Sequence, residues 1–180
     1  NGIRILGSGA DATRRAANKA NFLEVLTKNN LPVPGYVMPR SADDLTGAVE
    51  RLGFPSNRVV CKPVGQRGGR GFRILSSAFD EIGQILLSQR ELYLSLERLQ
   101  QALKQTDEMP EFLVMEYLDG ADYSVDVLVE NGACRQIIAQ QKIISDDGRI
   151  VATKIISDPR IDTVVEGIVA VFDFDFLINI

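Results

Sequence analysis

Histidine is absent from this 180-residue sequence, and only two cysteines are present. Without histidine, the chain cannot build a Ser-His-Asp or Cys-His hydrolase site or a histidine-built zinc site. General-base chemistry would therefore depend on carboxylates or lysine. Cys61 and Cys134 lie far apart in the sequence, in apolar or strand-like contexts and without metal-ligand spacing. We predict buried free thiols rather than a disulfide.

Long apolar runs and an excess of basic residues are also missing. No stretch approaches the ~20 apolar residues of a membrane helix, and the first residues do not form a secretory leader. Lysine and arginine number 20 against 24 acidic residues, which gives a formal net charge of -4. We therefore expect a cytoplasmic protein with neither nucleic acid nor a membrane as partner, in which any phosphate site is local.

The material for a folded core is ample, because 45% of the residues are hydrophobic. A chain of this length forms one domain or two small lobes. It starts at Asn1 without methionine and stops at Ile180 inside an apolar, strand-like run. We expect it to be a piece of a longer protein.

The most informative stretch is 59–75, with the sequence VVCKPVGQRGGRGFRIL. Apolar residues precede Lys62, the segment 65–71 contains four glycines and two arginines, and apolar residues resume at Phe72. This pattern predicts a strand, a glycine loop and a second strand. Such a loop can direct backbone N–H groups at a phosphate. It is not a P-loop, since the lysine precedes the glycines, and a flexible hairpin with solvated arginines remains the alternative.

Hydrophobic periodicity and turn residues predict the remaining elements. A glycine pattern at Gly7–Ala12 formally matches a dinucleotide-binding fingerprint. A second strand that ends in an acidic residue should follow the helix of such a unit, but Pro32 and Pro34 break regular structure there. Helices are predicted at about residues 12–29, 42–52 (capped by Ser41), 77–106 and 160–172. Strands are predicted at about residues 3–6, 36–38, 112–117, 123–129, 133–144, 150–156 and 172–180. Those between residues 123 and 156 are predicted to form an antiparallel meander with turns at Asn131-Gly132 and Asp146-Asp147-Gly148.

The ordered set of these features resembles the ATP-grasp superfamily. A lysine ends a strand before a glycine loop, and some forty residues later a strand ends in Glu116, Tyr117 and Leu118 before a turn. The likeness is greatest to the carbamoyl phosphate synthetase large subunit and related carboxylate-amine ligases. It implies an α+β, ATP-grasp fold in which two α+β lobes hold a nucleotide between them.

The resemblance also implies a division of the chain. Residues 1–11 would be the end of a preceding domain or a linker. Residues 12–110 would form the small lobe with the glycine loop. Residues 111–180 would form part of the large lobe, with its C-terminal part truncated.

The same resemblance implies ATP-binding roles for individual residues. Lys62, and Lys19 in a K-x-x-F pattern, would contact the phosphates; a solvated helix lysine is the other interpretation of Lys19. The Tyr117 carbonyl and Leu118 N–H would pair with adenine, and Glu116 would lie near its amino group unless it is merely a surface residue. Asp122 would contact the ribose, although relatives have the longer glutamate there. The glycine loop would close above the phosphates with backbone N–H donors, and its glycines are Gly65, Gly68, Gly69 and Gly71. Weaker candidates for phosphate or substrate contacts are Lys142 and Lys154.

The implied activity is ligation driven by magnesium-ATP. A carboxylate or bicarbonate would be phosphorylated to an acyl phosphate, from which an amine displaces phosphate. The family's magnesium ligands are expected beyond Ile180, so the 180 residues alone should lack catalysis. The alternatives are an ATP-sensing module without ligase activity and an interaction domain that binds no nucleotide.

Overall fold

The computed structural model describes most of the chain. The described residues are 6–66, 68–79, 82–83, 86, 92–146 and 149–180. Arg67 lies outside them, and so do residues 3–5 of the first predicted strand. Most of residues 80–91, which belong to the helix predicted over 77–106, lie outside them as well. Within these ranges, no helix combines the length and apolar character that crossing a membrane requires.

Helices and strands are interspersed along the described chain. The helices with defined bounds are α1 (Ala10–Ala17), α2 (Lys19–Lys28), α3 (Asp44–Glu50), α4 (Leu96–Lys104) and α5 (Pro159–Phe172). The strands are β1 (Tyr36–Val37), β2 (Val59–Pro63), β3 (Arg73–Leu75), β4 (Tyr93–Leu94), β5 (Phe112–Glu116), β6 (Tyr123–Glu130), β7 (Ala133–Asp146), β8 (Arg149–Ile156) and β9 (Phe176–Asn179).

The chain forms two compact units. The glycine-loop unit is Pro34–Asp119, and the four-stranded unit combines the residues up to Val33 with Gly120–Ile180. The predicted boundaries place α1 and α2 in the small lobe and β5 in the large lobe, whereas this division groups both helices with the four-stranded sheet and β5 with the glycine loop. Both helices pack on α5, where the Phe22 and Phe172 rings stack with centroids 4.9 Å apart. Burial of these aromatic faces explains the grouping.

The glycine-loop unit contains a sheet with strand order β1-β5-β2-β3-β4. Its strands are antiparallel except for β3 and β4, which are parallel. The interior strands β2 and β5 are apolar along most of their length, as expected for strands covered on their faces. The buried core joins α3, α4 and the sheet through Leu45, Ala48, Val49, Val59, Cys61, Leu75, Leu103, Phe112 and Val114.

The four-stranded unit contains an antiparallel sheet with strand order β8-β7-β6-β9. Alternate residues of β6, namely Val125, Val127 and Val129, pack against α5. The predicted turn between β6 and β7 is confirmed: Asn131 and Gly132 both have positive φ, as a two-residue hairpin turn requires. The predicted meander is therefore present, although residues 147 and 148 of its second turn lie outside the described chain.

The helix predicted over residues 12–29 is two helices, because the chain turns at Asn18. This residue has extended backbone angles, and its side-chain oxygen accepts the Asn21 N–H at 2.9 Å. That bond satisfies an otherwise unpaired donor in the first turn of α2, so Asn18 is an N-cap. Lys19 is consequently the first residue of α2.

Two further predictions of secondary structure were wrong in part. Tyr93–Leu94 is a strand rather than helix, because it pairs with β3 and its flanking carbonyl, at Leu92, accepts the Ile74 N–H. The last strand starts at Phe176 and not at Phe172. Phe172 ends α5, and Asp173 caps that helix with left-handed backbone angles, so the alternation of aromatic and acidic residues there does not mark a strand.

Candidate functional site

Lys62 lies near the end of β2, an interior strand of the glycine-loop unit. Its neighbour Cys61 is buried and faces the core, and burial raises the pKa of that thiol to about 12. Because successive side chains alternate, Lys62 points to the other side and is half-buried. Its ammonium lies 5.6 Å from the centroid of the Phe72 ring. Both cysteines are free thiols, as predicted, but only Cys61 is buried, since Cys134 is half-buried.

The glycine loop connects β2 and β3 as the sequence predicts. The two strands form an antiparallel hairpin in which Val59 faces Leu75 and Cys61 faces Arg73. Between them, the residues from Gly65 to Gly71 that the structure describes are exposed. The loop is closed internally by the Phe72 N–H, which donates to the Gly69 carbonyl at 3.2 Å.

The loop glycines have different structural requirements. Gly68, Gly69 and Gly71 have positive φ values of 61°, 67° and 72°, which favour glycine. At Gly71 a Cβ would also lie 2.6 Å from the Cγ of Pro63. Gly65 and Gly68 have open space around the Cβ position. Gly71 is thus a position where both backbone angle and packing exclude a side chain.

Glu116 ends β5 and forms two hydrogen bonds with Gly35, one as acceptor and one as donor. Its Oε2 accepts the Gly35 N–H at 2.8 Å, and its own N–H donates to the Gly35 carbonyl at 2.9 Å. Gly35 lies just before β1, which pairs with β5. Glu116 therefore joins these two strands, a structural role that the sequence did not reveal. Tyr117 and Leu118 follow beyond the last pair of β5 with β2, and the Leu118 side chain is 69% exposed.

Arg58 contacts the segment after β5 at two points. Its guanidinium carbon lies 4.1 Å from the centroid of the Tyr117 ring, and its Nη2 lies 3.6 Å from Oδ2 of Asp119. The antiparallel pair of Val59 with Glu116 brings the two segments side by side. Sequence reasoning missed Arg58, since only this register connects it with Tyr117.

Asp122 lies in the four-stranded unit and is paired with Lys142. Lys142 Nζ lies 2.7 Å from Oδ2 of Asp122, and the Lys142 N–H donates to the Asp122 carbonyl at 2.8 Å. Lys19, also in this unit, is half-buried at the start of α2. The predicted site residues thus form two groups, one in each unit. Lys62, the loop glycines and the segment from Glu116 to Leu118 lie in the glycine-loop unit.

A row of polar side chains crosses the four-stranded sheet on the face opposite α5. Asn179 Nδ2 donates to Oδ1 of Asp126 at 2.8 Å, and Gln140 Nε2 donates to Oδ2 of Asp126 at 2.8 Å. Thr153 Oγ1 donates to Oε1 of Gln140 at 3.1 Å. The alternation of β6 placed Asp126 on this face, but its partners come from two other strands, β7 and β9, and could not be identified from sequence.

The acidic residues do not assemble a metal site in the part of the chain that the structure describes. No group of three or more Asp, Glu or Cys side chains there could hold a metal ion. Asp126 and Asp122 use their carboxylate oxygens on Asn179, Gln140 and Lys142. The described residues do not fit a magnesium ion by themselves.

Comparison of the sequence with known families and proteins gives consistent matches. Residues 108–180 match a family described as ATP-grasp in the biosynthetic pathway with Ter operon. The carbamoyl phosphate synthase large chain of Methanothermobacter thermautotrophicus is 28% identical over 172 residues, which cover 92% of this chain and 14% of the relative. The Haemophilus ducreyi large chain is 30% identical over 86 residues, or 48% of this chain and 8% of the relative.

Solved structures show the same fold. Biotin carboxylase from Campylobacter jejuni, in complex with β,γ-ATP, matches with a TM-score of 0.70 and 14% identity, over 98% of this chain and 39% of that one. D-alanine–D-alanine ligase from Bacillus anthracis, complexed with ATP, matches with a TM-score of 0.62 and 15% identity, over 97% and 52%. The chain therefore spans about half or less of these structures and about a seventh of the first large chain. It has the ATP-grasp fold, and its resemblance to the ATP-grasp superfamily, with carbamoyl phosphate synthase large chains among its relatives, is confirmed.

Proposed function

We propose that this chain is the ATP-binding part of an ATP-dependent carboxylate-amine ligase, with carbamoyl phosphate synthesis as the leading specific case. The observation that carries the proposal is the β2–β3 hairpin, in which Lys62 lies near the end of β2, shortly before an exposed glycine loop. The ATP-grasp fold and the sequence relatives support it.

Lys62 and the glycine loop would bind the phosphates. The ammonium is a charge-assisted donor, and such hydrogen bonds are about twice as strong as neutral ones. Three positive-φ glycines let the exposed loop approach the phosphates without a side chain between backbone and ligand. Lys19, at the start of α2, is proposed as a second cation toward the phosphates.

Adenine would be bound by the backbone after β5. The Tyr117 carbonyl would accept from the adenine amino group, and the Leu118 N–H would donate to N1. Both residues lie beyond the β2–β5 pairing. Glu116 would contribute its carboxylate near the amino group while it holds the Gly35 N–H.

The ribose would be bound by Asp122. Its side chain is one methylene shorter than that of a glutamate, and Lys142 holds one of its carboxylate oxygens at 2.7 Å. That ion pair fixes the direction of the carboxylate, so that the other oxygen can accept from a ribose hydroxyl.

In the proposed reaction, an oxygen of a small carboxylate or bicarbonate attacks the γ-phosphorus and ADP leaves. An amine then attacks the carbonyl carbon of the acyl phosphate, and the C–O bond to phosphate breaks as the C–N bond forms. The proton of the amine passes to a base. Lys62 and the loop would hold the transferred group in line.

The base specificity tests the proposed function. ATP should bind at least about tenfold more tightly than GTP, because guanine presents an acceptor where the Tyr117 carbonyl needs a donor and a donor against the Leu118 N–H. Calorimetry with each nucleotide measures the ratio. Leu118→Pro removes the N–H and should reduce the preference, whereas Leu118→Ala keeps it. Equal dissociation constants for ATP and GTP would contradict the proposed adenine contact.

A further inference from the structure

The segment from Tyr117 to Asp119 leaves the sheet just where the proposed function needs a fixed backbone. The last pair of β5 with β2 is Glu116 with Val59, so the residues after it receive no support from that ladder. At Gly120 the chain enters the four-stranded unit. A backbone that pairs with a base must present its carbonyl and N–H in fixed directions, because a misdirected donor loses most of its hydrogen bond.

Arg58 supplies contacts on both sides of Leu118. Its guanidinium lies 4.1 Å from the Tyr117 ring centroid, within the distance of a cation–π contact. Its Nη2 lies 3.6 Å from the Asp119 carboxylate, which is 84% exposed. An exposed ion pair by itself holds little. The ring contact and the ion pair together restrain the two residues that flank Leu118.

We infer that Arg58 is a positioning residue for base recognition: by clamping Tyr117 and Asp119, it holds the backbone at residues 117 and 118 in the conformation that binds adenine. The inference rests on the proposed function. Arg58 acts through the segment and is assigned no contact with the nucleotide. The planar guanidinium is required, since a lysine ammonium carries the same charge but cannot lie flat on the ring.

Two other roles for Arg58 make different predictions. A purely structural clip would change the melting temperature and leave the choice of base unchanged. If Arg58 were a cation that attracts the triphosphate, lysine would replace it well, and its removal would weaken the binding of ATP more than that of ADP. A positioning residue changes the affinity for ATP and ADP by the same factor and lowers the ratio of ATP to GTP affinity.

The experiment compares the unmutated chain with Arg58→Lys, Tyr117→Leu and the double variant. Calorimetry with ATP, ADP and GTP gives the affinities, and circular dichroism gives the melting temperatures. Arg58→Lys should weaken the binding of ATP and of ADP by a similar factor of about three to ten, and it should reduce the preference for ATP over GTP. Tyr117→Leu should have the same effect. The double variant should bind no more weakly than either single variant, because both substitutions remove the same contact, that of the guanidinium with the ring. Arg51→Lys is the matched control, since Arg51 is exposed in the same unit and bonds the Gly47 carbonyl through Nε.

The outcomes separate the inference from the proposed function. If the unmutated chain prefers ATP and both single variants keep that preference, the inference is wrong whatever their melting temperatures. An effect that is larger for ATP than for ADP also overturns it. An unmutated chain that binds neither nucleotide overturns the proposed function, and the inference fails with it. Should Arg58→Lys not fold, Asp119→Asn removes the other contact and should reduce the preference by a smaller factor.

Discussion

Replacement of Lys62 by alanine should weaken ATP binding tenfold to a hundredfold without unfolding the protein. Lys62 is half-buried at the end of an interior strand, beside the glycine loop. Loss of a charge-assisted phosphate contact costs about 1.5 to 3 kcal/mol, which corresponds to roughly that range of dissociation constants. The fold should persist, since the buried residues of β2 are its neighbours Val59, Val60 and Cys61. Calorimetry with ATP on the folded variant measures the change.

Two control variants separate the phosphate contact from other effects of Lys62. Lys104→Ala removes the same charge from the same unit, at an exposed residue whose Nζ lies 3.9 Å from Asp43. It should leave ATP affinity within about twofold, because it is assigned no nucleotide contact. Phe72→Leu removes the ring near the Lys62 ammonium but keeps the charge. Equal losses in Phe72→Leu and Lys62→Ala would mean that Lys62 acts only by holding the loop.

The strand, loop and strand around Lys62 could be predicted because local sequence determines them. Apolar residues on either side require burial, and the glycines between them permit the backbone angles that the turn uses. The helix break at Asn18 was predictable in principle, since asparagine is a strong N-cap. It was missed because the apolar periodicity of α1 and α2 runs through it.

Other features depend on partners distant in the sequence. The strand Tyr93–Leu94 has only two residues and lies among leucines with helical spacing, so only its parallel pairing with β3 defines it. The contact between Arg58 and Tyr117 joins residues that lie far apart in the chain and follows from the register of β2 and β5. The pair of Asp122 with Lys142 likewise requires the register of β6 and β7. Hydrophobic period assigns residues to faces, but it does not identify which distant strands pair or where a bulge shifts their register, as one does between Leu128 and Val129.

Gly71→Ala should have the second large effect, on stability as well as on ATP binding. Its φ of 72° is in the left-handed region, which costs a residue with a Cβ about 1 to 2 kcal/mol. The added Cβ would also lie 2.6 Å from Cγ of Pro63, a ring atom of β2 that cannot rotate away as a flexible side chain would. We expect the glycine-loop unit to lose about 2 kcal/mol of stability. The end of the loop should shift away from Lys62, with a loss of ATP affinity of about tenfold.

The other loop glycines identify which part of this effect comes from the close contact. Gly68 has a φ of 61° but open space around its Cβ position, so Gly68→Ala should show the backbone cost alone. Gly65→Ala has neither constraint and should change stability by no more than about 0.5 kcal/mol. Thermal unfolding and ATP calorimetry on the three variants should therefore rank the damage as Gly71, then Gly68, then Gly65. If Gly71→Ala matches Gly65→Ala in both measurements, the contact with Pro63 does not shape the loop, and the placement of the phosphate site between Lys62 and the loop loses its structural support.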